Sequence, residues 1–320
     1  MSLRHAWIAA VLAAGCDLDT ILELLEDEAR RAPAAQSPAA PSPAAPFPGA
    51  YPAAPQQHVS GGGAQMPLGA PVDRSPQDEL LLVKPQYVLS YNRFRNAPNW
   101  AAWRLTASDL GDTGRTRDRF APDPQLPDGV YRAMHNDYRG SGYDRGHLVP
   151  SAQRTADPED NAATFLMTNI LPQRHDLNAG AWEALEEWSL GMARQGWDLY
   201  TYAGGRYAPA CATDRSPAGN TPDPSCPSIG RSADIARRVG VPVSTWKVIV
   251  LVPRGAGPSA VNASTPVVAV DMPNDGTAGA DWRRYLMSVD ALESLTGYDF
   301  LGAVHPSVQA VIEAQVYRGM

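Results

Sequence analysis

Three runs in the chain are dominated by apolar and β-branched residues: Tyr87-Val88-Leu89-Ser90-Tyr91, Trp246-Lys247-Val248-Ile249-Val250-Leu251-Val252 and Pro266-Val267-Val268-Ala269-Val270-Asp271. Short runs of this kind predict strands. Residues 178–195 are instead rich in Ala, Glu, Leu, Met and Trp and predict a helix. Strands before and after a central helix, without βαβ alternation, predict an α+β fold on a mixed sheet. The globular pattern begins near Leu80, and no repeat of solenoid length is visible.

Upstream the pattern changes. Residues 1–5 are short and basic, residues 6–15 are apolar, and the run ends at Ala13-Ala14-Gly15-Cys16. A basic start, a short apolar core and small residues before a cut describe a secretory signal. The ending resembles a bacterial lipoprotein signal in which Cys16 is lipidated, with Ala13 where such signals usually carry Leu. The alternative is a surface amphipathic helix over residues 3–31, because Ile21, Leu22, Leu24 and Leu25 continue the apolar pattern. Residues 32–76 hold 11 of the 30 prolines, many alanines and Gly61-Gly62-Gly63. Such a segment makes neither ladders nor helices and is read as a disordered spacer. No apolar run reaches the ~18 residues that a spanning helix needs.

Composition alters this picture in one respect. The formal charge is −7, which by itself argues against a nucleic-acid partner. Residues 1–80, however, carry four Arg and no Lys against nine acids, leaving the other 240 residues at a net −2. A nearly neutral domain can hold a local basic face. Cys211 and Cys226 flank a Pro/Ser/Asp-rich loop. One lipidated cysteine and one disulfide would account for all three cysteines, and a disulfide implies an oxidising, exported compartment. Two unpaired thiols in a cytosolic loop are the alternative reading. Zinc spacing is absent from the cysteines.

Chemistry concentrates in Tyr138-Arg139-Gly140-Ser141-Gly142-Tyr143-Asp144-Arg145-Gly146-His147. Taken alone, this is a charged turn with one histidine. About twenty residues on lies Met167-Thr168-Asn169-Ile170-Leu171-Pro172-Gln173, followed by Asp176-Leu177-Asn178 and a segment that reaches Glu186. The amide oxygen of Asn178 is a hard donor suited to Mg²⁺ or Ca²⁺, and its ordinary role at a helix start is an N-cap. On a straight α-helix Glu186 would lie about 12 Å further along the axis and about 80° round from Asn178. That spacing is too wide for joint direct ligation and suits action through a water. His135, His175 and His305 could in principle build another metal site, but lone histidines are usually surface or satisfied core residues. Ser141 has no visible base partner. Trp182 reads as helix-packing core, and Glu183 and Glu187 as solvated charges.

These segments resemble the DNA/RNA non-specific endonucleases, a family that includes endonuclease G and secreted sugar-non-specific bacterial nucleases. Asp144-Arg145-Gly146-His147 matches the DRGH signature. Thr168-Asn169-Ile170, Pro172-Gln173, Leu177-Asn178, Gly180-Ala181-Trp182 and Leu185-Glu186 follow at family spacing. Met272-Pro273-Asn274 and Leu295-Thr296-Gly297-Tyr298-Asp299-Phe300 look like further landmarks, so the resemblance covers roughly residues 80–305. It implies a ββα-metal (His-Me finger) core within a larger mixed scaffold. It further implies His147 as general base, Asn178 as the direct ligand of one Mg²⁺ and Glu186 holding a metal-bound water. Asn169 would help to position the site, Arg145 would contact phosphate, and Arg119 would stabilise charge on the reacting phosphate. Arg115 and Arg117 compete with Arg119, which is preferred because Phe120 and Asp123-Pro124-Gln125-Leu126 follow it as in the family.

The expected organisation is a signal or lipoprotein-like segment (1–16), a short helical segment (17–31), a linker (32–76) and an endonuclease domain (77–320). The expected activity is Mg²⁺-dependent hydrolysis of DNA and RNA to 5′-phosphate products, with Mn²⁺ or another divalent cation able to substitute. The protein would be exported, periplasmic or at the cell surface and lipid-anchored at Cys16, with secretion as the alternative. A homodimer and a protein inhibitor are further expected partners. The competing reading is a catalytically silent nucleic-acid-binding lipoprotein on the same scaffold.

Overall fold

The apolar runs become the middle of one antiparallel sheet. The computed structural model describes residues 63–73, 79–114, 120–208, 211 and 225–319, all within the unit Ala53–Met320. The expected signal, Cys16 lipidation site and helical segment over 17–31 lie outside the described residues. In chain order the elements are β1 (Glu79–Val83), β2 (Val88–Asn92), β3 (Ala97–Leu105), α1 (His135–Tyr138), β4 (Asp144–His147), α2 (Pro158–Ala163), β5 (Ile170–Gln173), α3 (Glu183–Arg194), β6 (Trp197–Arg206), β7 (Ser228–Ile229), β8 (Val239–Gly240), β9 (Ser244–Pro253), β10 (Val267–Pro273), β11 (Leu286–Met287), α4 (Val289–Thr296) and α5 (Pro306–Glu313).

The large sheet runs β1-β2-β3-β6-β9-β10-β11, and β4 and β5 form a separate two-stranded ribbon. Both faces of the large sheet are covered, which is why β9 reads as an unbroken apolar run rather than an alternation. Alternate residues still separate cleanly. Trp103, Leu199, Ile249 and Val270 pack with Leu171, Trp182 and Leu185 from β5 and the long helix. Trp100, Tyr202, Val248 and Ala269 face the other way, against Leu292 and Ile312 of α4 and α5. The fold is α+β, as the pattern predicts, but the sheet is antiparallel at every pairing rather than mixed, and the ribbon and the long helix lie on one of its faces.

The folded part starts earlier than expected. Met66 and Leu68 are buried in the second of these cores, and Val72 exchanges backbone hydrogen bonds with Asp299. Residues 63–73 therefore do not belong to a spacer. Their few large apolar side chains pack where the Pro/Ala-rich sequence around them suggests nothing to bury.

A cluster of acids joins α4 to α5. Carboxylate oxygens of Asp290, Glu293 and Glu313 lie within 4.8 Å of one another. Burial, together with the neighbouring negative charges, pushes the Glu313 carboxyl up to about 8, opposed by its hydrogen bond from Gln309. Between the ordinary carboxylate range and pH 8, the folded protein thus keeps a proton that the unfolded chain releases. Stability falls as pH rises through this window. The expected result is a melting temperature several degrees lower at pH 8 than at pH 5.5. Glu313→Gln should flatten that difference, as thermal unfolding at the two pH values would reveal; an unchanged difference would contradict it.

Candidate active site

The sequence around His147 folds as strand, strand and helix. β4 pairs antiparallel with β5, with Asp144 opposite Gln173 and His147 opposite Ile170. Gly142 makes the preceding turn with φ 81°, and Ser141 Oγ closes it by donating to the Tyr138 carbonyl at 2.6 Å. Gly146 is needed for a different reason. A Cβ there would come within 2.6 Å of Gln173 Cγ, and the Gln173 side chain is buried and donates to Thr245 Oγ1 at 3.3 Å. Gly146→Ala is expected to cost about 1–3 kcal/mol through overpacking. It should also lower activity by displacing the neighbouring His147; a variant with wild-type melting and turnover would show that the ribbon has room to spare.

After β5 the chain enters a wide π turn, Leu177–Trp182, with non-helical angles at Gly180, and continues into α3. Such turns are frequent at functional sites. The expected 80° offset between Asn178 and Glu186 therefore does not apply. Gly180 lies between the two positions with φ −115° and ψ −112°, so no single helix axis relates them.

The His147 ring packs against Phe120 and Phe165, with centroids 5.5 Å and 5.0 Å away. Its backbone carbonyl accepts from Trp182 Nε1 at 3.0 Å, which ties β4 to the helix. Asn169 is fully buried and commits its side chain to the backbone. It accepts from Val149 N at 3.0 Å and donates to the carbonyls of Val149 and Thr164. It fixes the chain just beyond His147 and reaches the site through that backbone. Asp144 Oδ2 accepts from Asn178 Nδ2 at 3.1 Å and from His175 Nδ1 at 2.8 Å. A carboxylate only accepts, so the hydrogen-bond network directs the amide nitrogen of Asn178 to Asp144 and leaves the amide oxygen for another partner. Arg145 stacks over Phe120, 4.8 Å from its centroid, and hydrogen-bonds to the ring nitrogens of His135.

Glu186 pairs with Lys247, whose Nζ lies 3.6 Å from Oε1. Lys247 is buried on β9 with its ammonium 3.9 Å from the Trp182 ring centroid. Burial lowers its pKa, and the charge of Glu186 works in the opposite direction. Lys247 escapes the motif reading, yet its signal was present: one cation inside an otherwise apolar core strand. His135 escapes it as well, since nothing in the sequence pairs it with Arg145.

Arg145 and His147 thus lie on β4, Asn169 immediately before β5, and Asn178 and Glu186 on the π turn and α3 that follow. Arg115, Arg117 and Arg119 lie outside the described residues. The three candidate histidines of an alternative metal site are dispersed: His135 holds Arg145, His175 holds Asp144, and His305 caps α5 through Ser307 N. Among the described residues, the one grouping of three His, Cys, Asp or Glu donors is the acid cluster on the opposite face of the sheet. Glu183 and Glu187 are exposed and Trp182 is core.

The sequence profile of the family described as DNA/RNA non-specific endonuclease matches residues 65–307. The chain belongs to this family. It is similar to a nuclease of Nostoc sp., with 45% identity over 251 residues, covering 78% of this chain and 83% of that one. It is also similar to the mitochondrial nuclease EXOG of Danio rerio, 33% identical over 129 residues, which cover 40% of this chain and only 37% of that protein. The solved structure of an EndoG/EndoGI complex shares the fold, with a TM-score of 0.59 at 24% identity over 75% of this chain and 91% of that one. The ribbon and helix described above carry the family's DRGH signature on β4. The protein is an enzyme of nucleic-acid hydrolysis.

One disulfide joins Cys211 to Cys226. It fits an oxidising compartment.

Proposed function

We propose that this member of the family hydrolyses phosphodiester bonds in both DNA and RNA, with one Mg²⁺ and His147 as general base. The observation that carries the reading is the joint arrangement of β4, β5 and the helix: a clamped histidine on one element, and on the next an asparagine whose donor end is taken by Asp144. Mg²⁺ fits this donor set. The amide oxygen of Asn178 is a hard ligand, and a sparse protein contribution suits an ion that keeps most of its waters. Asn178 would hold the ion directly and Glu186 through water, and Mn²⁺ could take its place. When bound, the ion supplies charge neutralisation at the phosphate and at the leaving oxygen.

The residues do the rest. His147 takes a proton from water as the water oxygen bonds to phosphorus. The bond from phosphorus to the 3′-oxygen breaks and that oxygen takes a proton from solvent water, leaving a 5′-phosphate and a 3′-hydroxyl. Arg145, oriented by Phe120 and His135, contacts the phosphate, and Arg119 stabilises its added negative charge. Lys247 beneath Glu186 favours the charged carboxylate. Phosphate contacts position a strand without reading bases, so sequence preference should be weak. The disulfide supports an exported location, with a lipid anchor at Cys16. A homodimer and an inhibitor protein, of the kind named with the EndoG relative, complete the proposal.

The decisive test digests plasmid DNA and RNA with the full chain, in Mg²⁺ and in EDTA. Cleavage of both substrates that needs the metal is expected. A folded protein that binds nucleic acid but cleaves neither substrate, with several divalent metals tried, would favour the silent binding protein instead.

A further inference from the structure

Positive charge gathers beside the site in a chain whose net charge is −7. The turn between β2 and β3 carries Arg93 and Arg95, and residues 225–240 carry Arg231, Arg237 and Arg238 against the single acid Asp234. These two segments are built as one lobe. Asn96 Nδ2 donates to the carbonyls of Ala236 and Arg238 at 2.8 Å, and Gly240 N donates to the Arg95 carbonyl at 2.7 Å. Arg95 is the internal pin. It stacks over Tyr207 with 4.3 Å to the centroid, and it donates to Asn99 at 2.7 Å and to the Cys211 carbonyl at 3.2 Å. The Cys211–Cys226 disulfide fastens the segment that leads into the lobe. Arg231 and Arg237 are exposed on it, and Arg237 Nε lies 3.7 Å from Asp234 Oδ2 in a solvent-exposed pair that a phosphate can displace.

The lobe is continuous with the site. Arg145 bonds to His135, the first residue of α1. Asn274 Nδ2 ties the ribbon to the base of the lobe, donating at 2.9 Å to the carbonyl of Pro172, the residue opposite Arg145, and to that of Pro242, two residues beyond β8. Bonded neighbours thus join the strand of the DRGH arginine to the base of the lobe.

We propose that this disulfide-fastened lobe is a second contact for the nucleic-acid backbone, reached by phosphates several nucleotides away from the one that reacts, through Arg231 and Arg237. The proposal rests on the nuclease reading above. Arginines on a lobe with a braced backbone need order only their side chains to bind phosphate, and they add affinity for long substrates without adding base preference. A polyanion is favoured as the occupant because the lobe adjoins the phosphate-reacting site.

The test uses the full chain with its disulfide intact and the double variant Arg231→Gln, Arg237→Gln. Both side chains are exposed, so the fold should survive, and the melting temperature checks it. Binding to a duplex of about 30 base pairs in EDTA is followed against salt concentration. The slope of log K on log salt should become shallower by about 2, close to one unit per lost phosphate contact. Cleavage in Mg²⁺ of a small diester that carries a single phosphate should stay at the wild-type rate, while plasmid cleavage at physiological salt slows several-fold. An unchanged slope in a folded variant overturns the proposal, including the case in which only binding to vesicles of anionic lipid is lost. Failure of the wild type to cleave any substrate, with the slope change still present, would instead sink the hydrolytic reading and leave the lobe as a nucleic-acid contact.

Discussion

His147→Ala loses about 10²–10⁴-fold of the turnover rate, the usual contribution of a positioned general base, while nucleic-acid binding stays within a few-fold. The expectation follows from what surrounds the ring. Phe120 and Phe165 pack against it, and the Trp182–carbonyl bond holds its strand to the helix. This geometry fixes one imidazole in place. Among the described residues no other histidine is placed to substitute, since His135 is engaged with Arg145, His175 with Asp144 and His305 with the start of α5. The phosphate contacts proposed above sit elsewhere, on Arg145, Arg119 and the lobe, so affinity should survive the change. Single-turnover cleavage measured beside equilibrium binding separates the two quantities. Partial recovery by added imidazole would identify the missing function as a base. A variant that cleaves within a few-fold of wild type would remove His147 from the mechanism.

The elements that were legible in the sequence are those whose burial is simplest. β2, β9 and β10 are buried on both faces and mostly apolar, and they announce themselves. β6 does not, because Gly204 and Gly205 interrupt it. Its Gly204 is required by Trp246 of the adjacent strand, whose Cζ2 would lie 2.5 Å from a Cβ there. β4 is a strand made of Asp, Arg, Gly and His, so hydrophobic period carries no signal for it; only the motif does. The proposed site residues stand out in the sequence through the family motifs, because each proposed role calls for a particular side chain at a particular place in the ribbon and the helix. Their supports were not. The π turn, the bond from Asp144 to Asn178 and the Lys247–Glu186 pair depend on contacts between segments far apart in sequence. Gln173 illustrates the limit: as a sequence residue it is an unremarkable polar neighbour, and only in the fold does its side chain occupy the space that makes Gly146 obligatory.

Asn178→Ala should be nearly as damaging as loss of the base, and its signature should differ. Removing a group that merely orients a metal ligand typically costs 10–100-fold, so loss of the ligand itself is expected to cost about 10²-fold or more at fixed Mg²⁺. The loss should be partly offset by raising the metal concentration, which is not expected for His147→Ala. Asn178→Asp separates ligand chemistry from charge. It keeps an oxygen donor but sets a second carboxylate beside Asp144, whose Oδ2 now accepts from Asn178 Nδ2 at 3.1 Å. Two like charges so placed repel or share a proton, so Asp should rescue poorly despite being a good metal ligand in isolation. Mn²⁺ affinity, read by its paramagnetic resonance signal without any substrate, should weaken in Asn178→Ala and stay unchanged in His147→Ala. Equal Mn²⁺ affinity in wild type and Asn178→Ala would move the metal away from this helix, and with it the role assigned to Glu186.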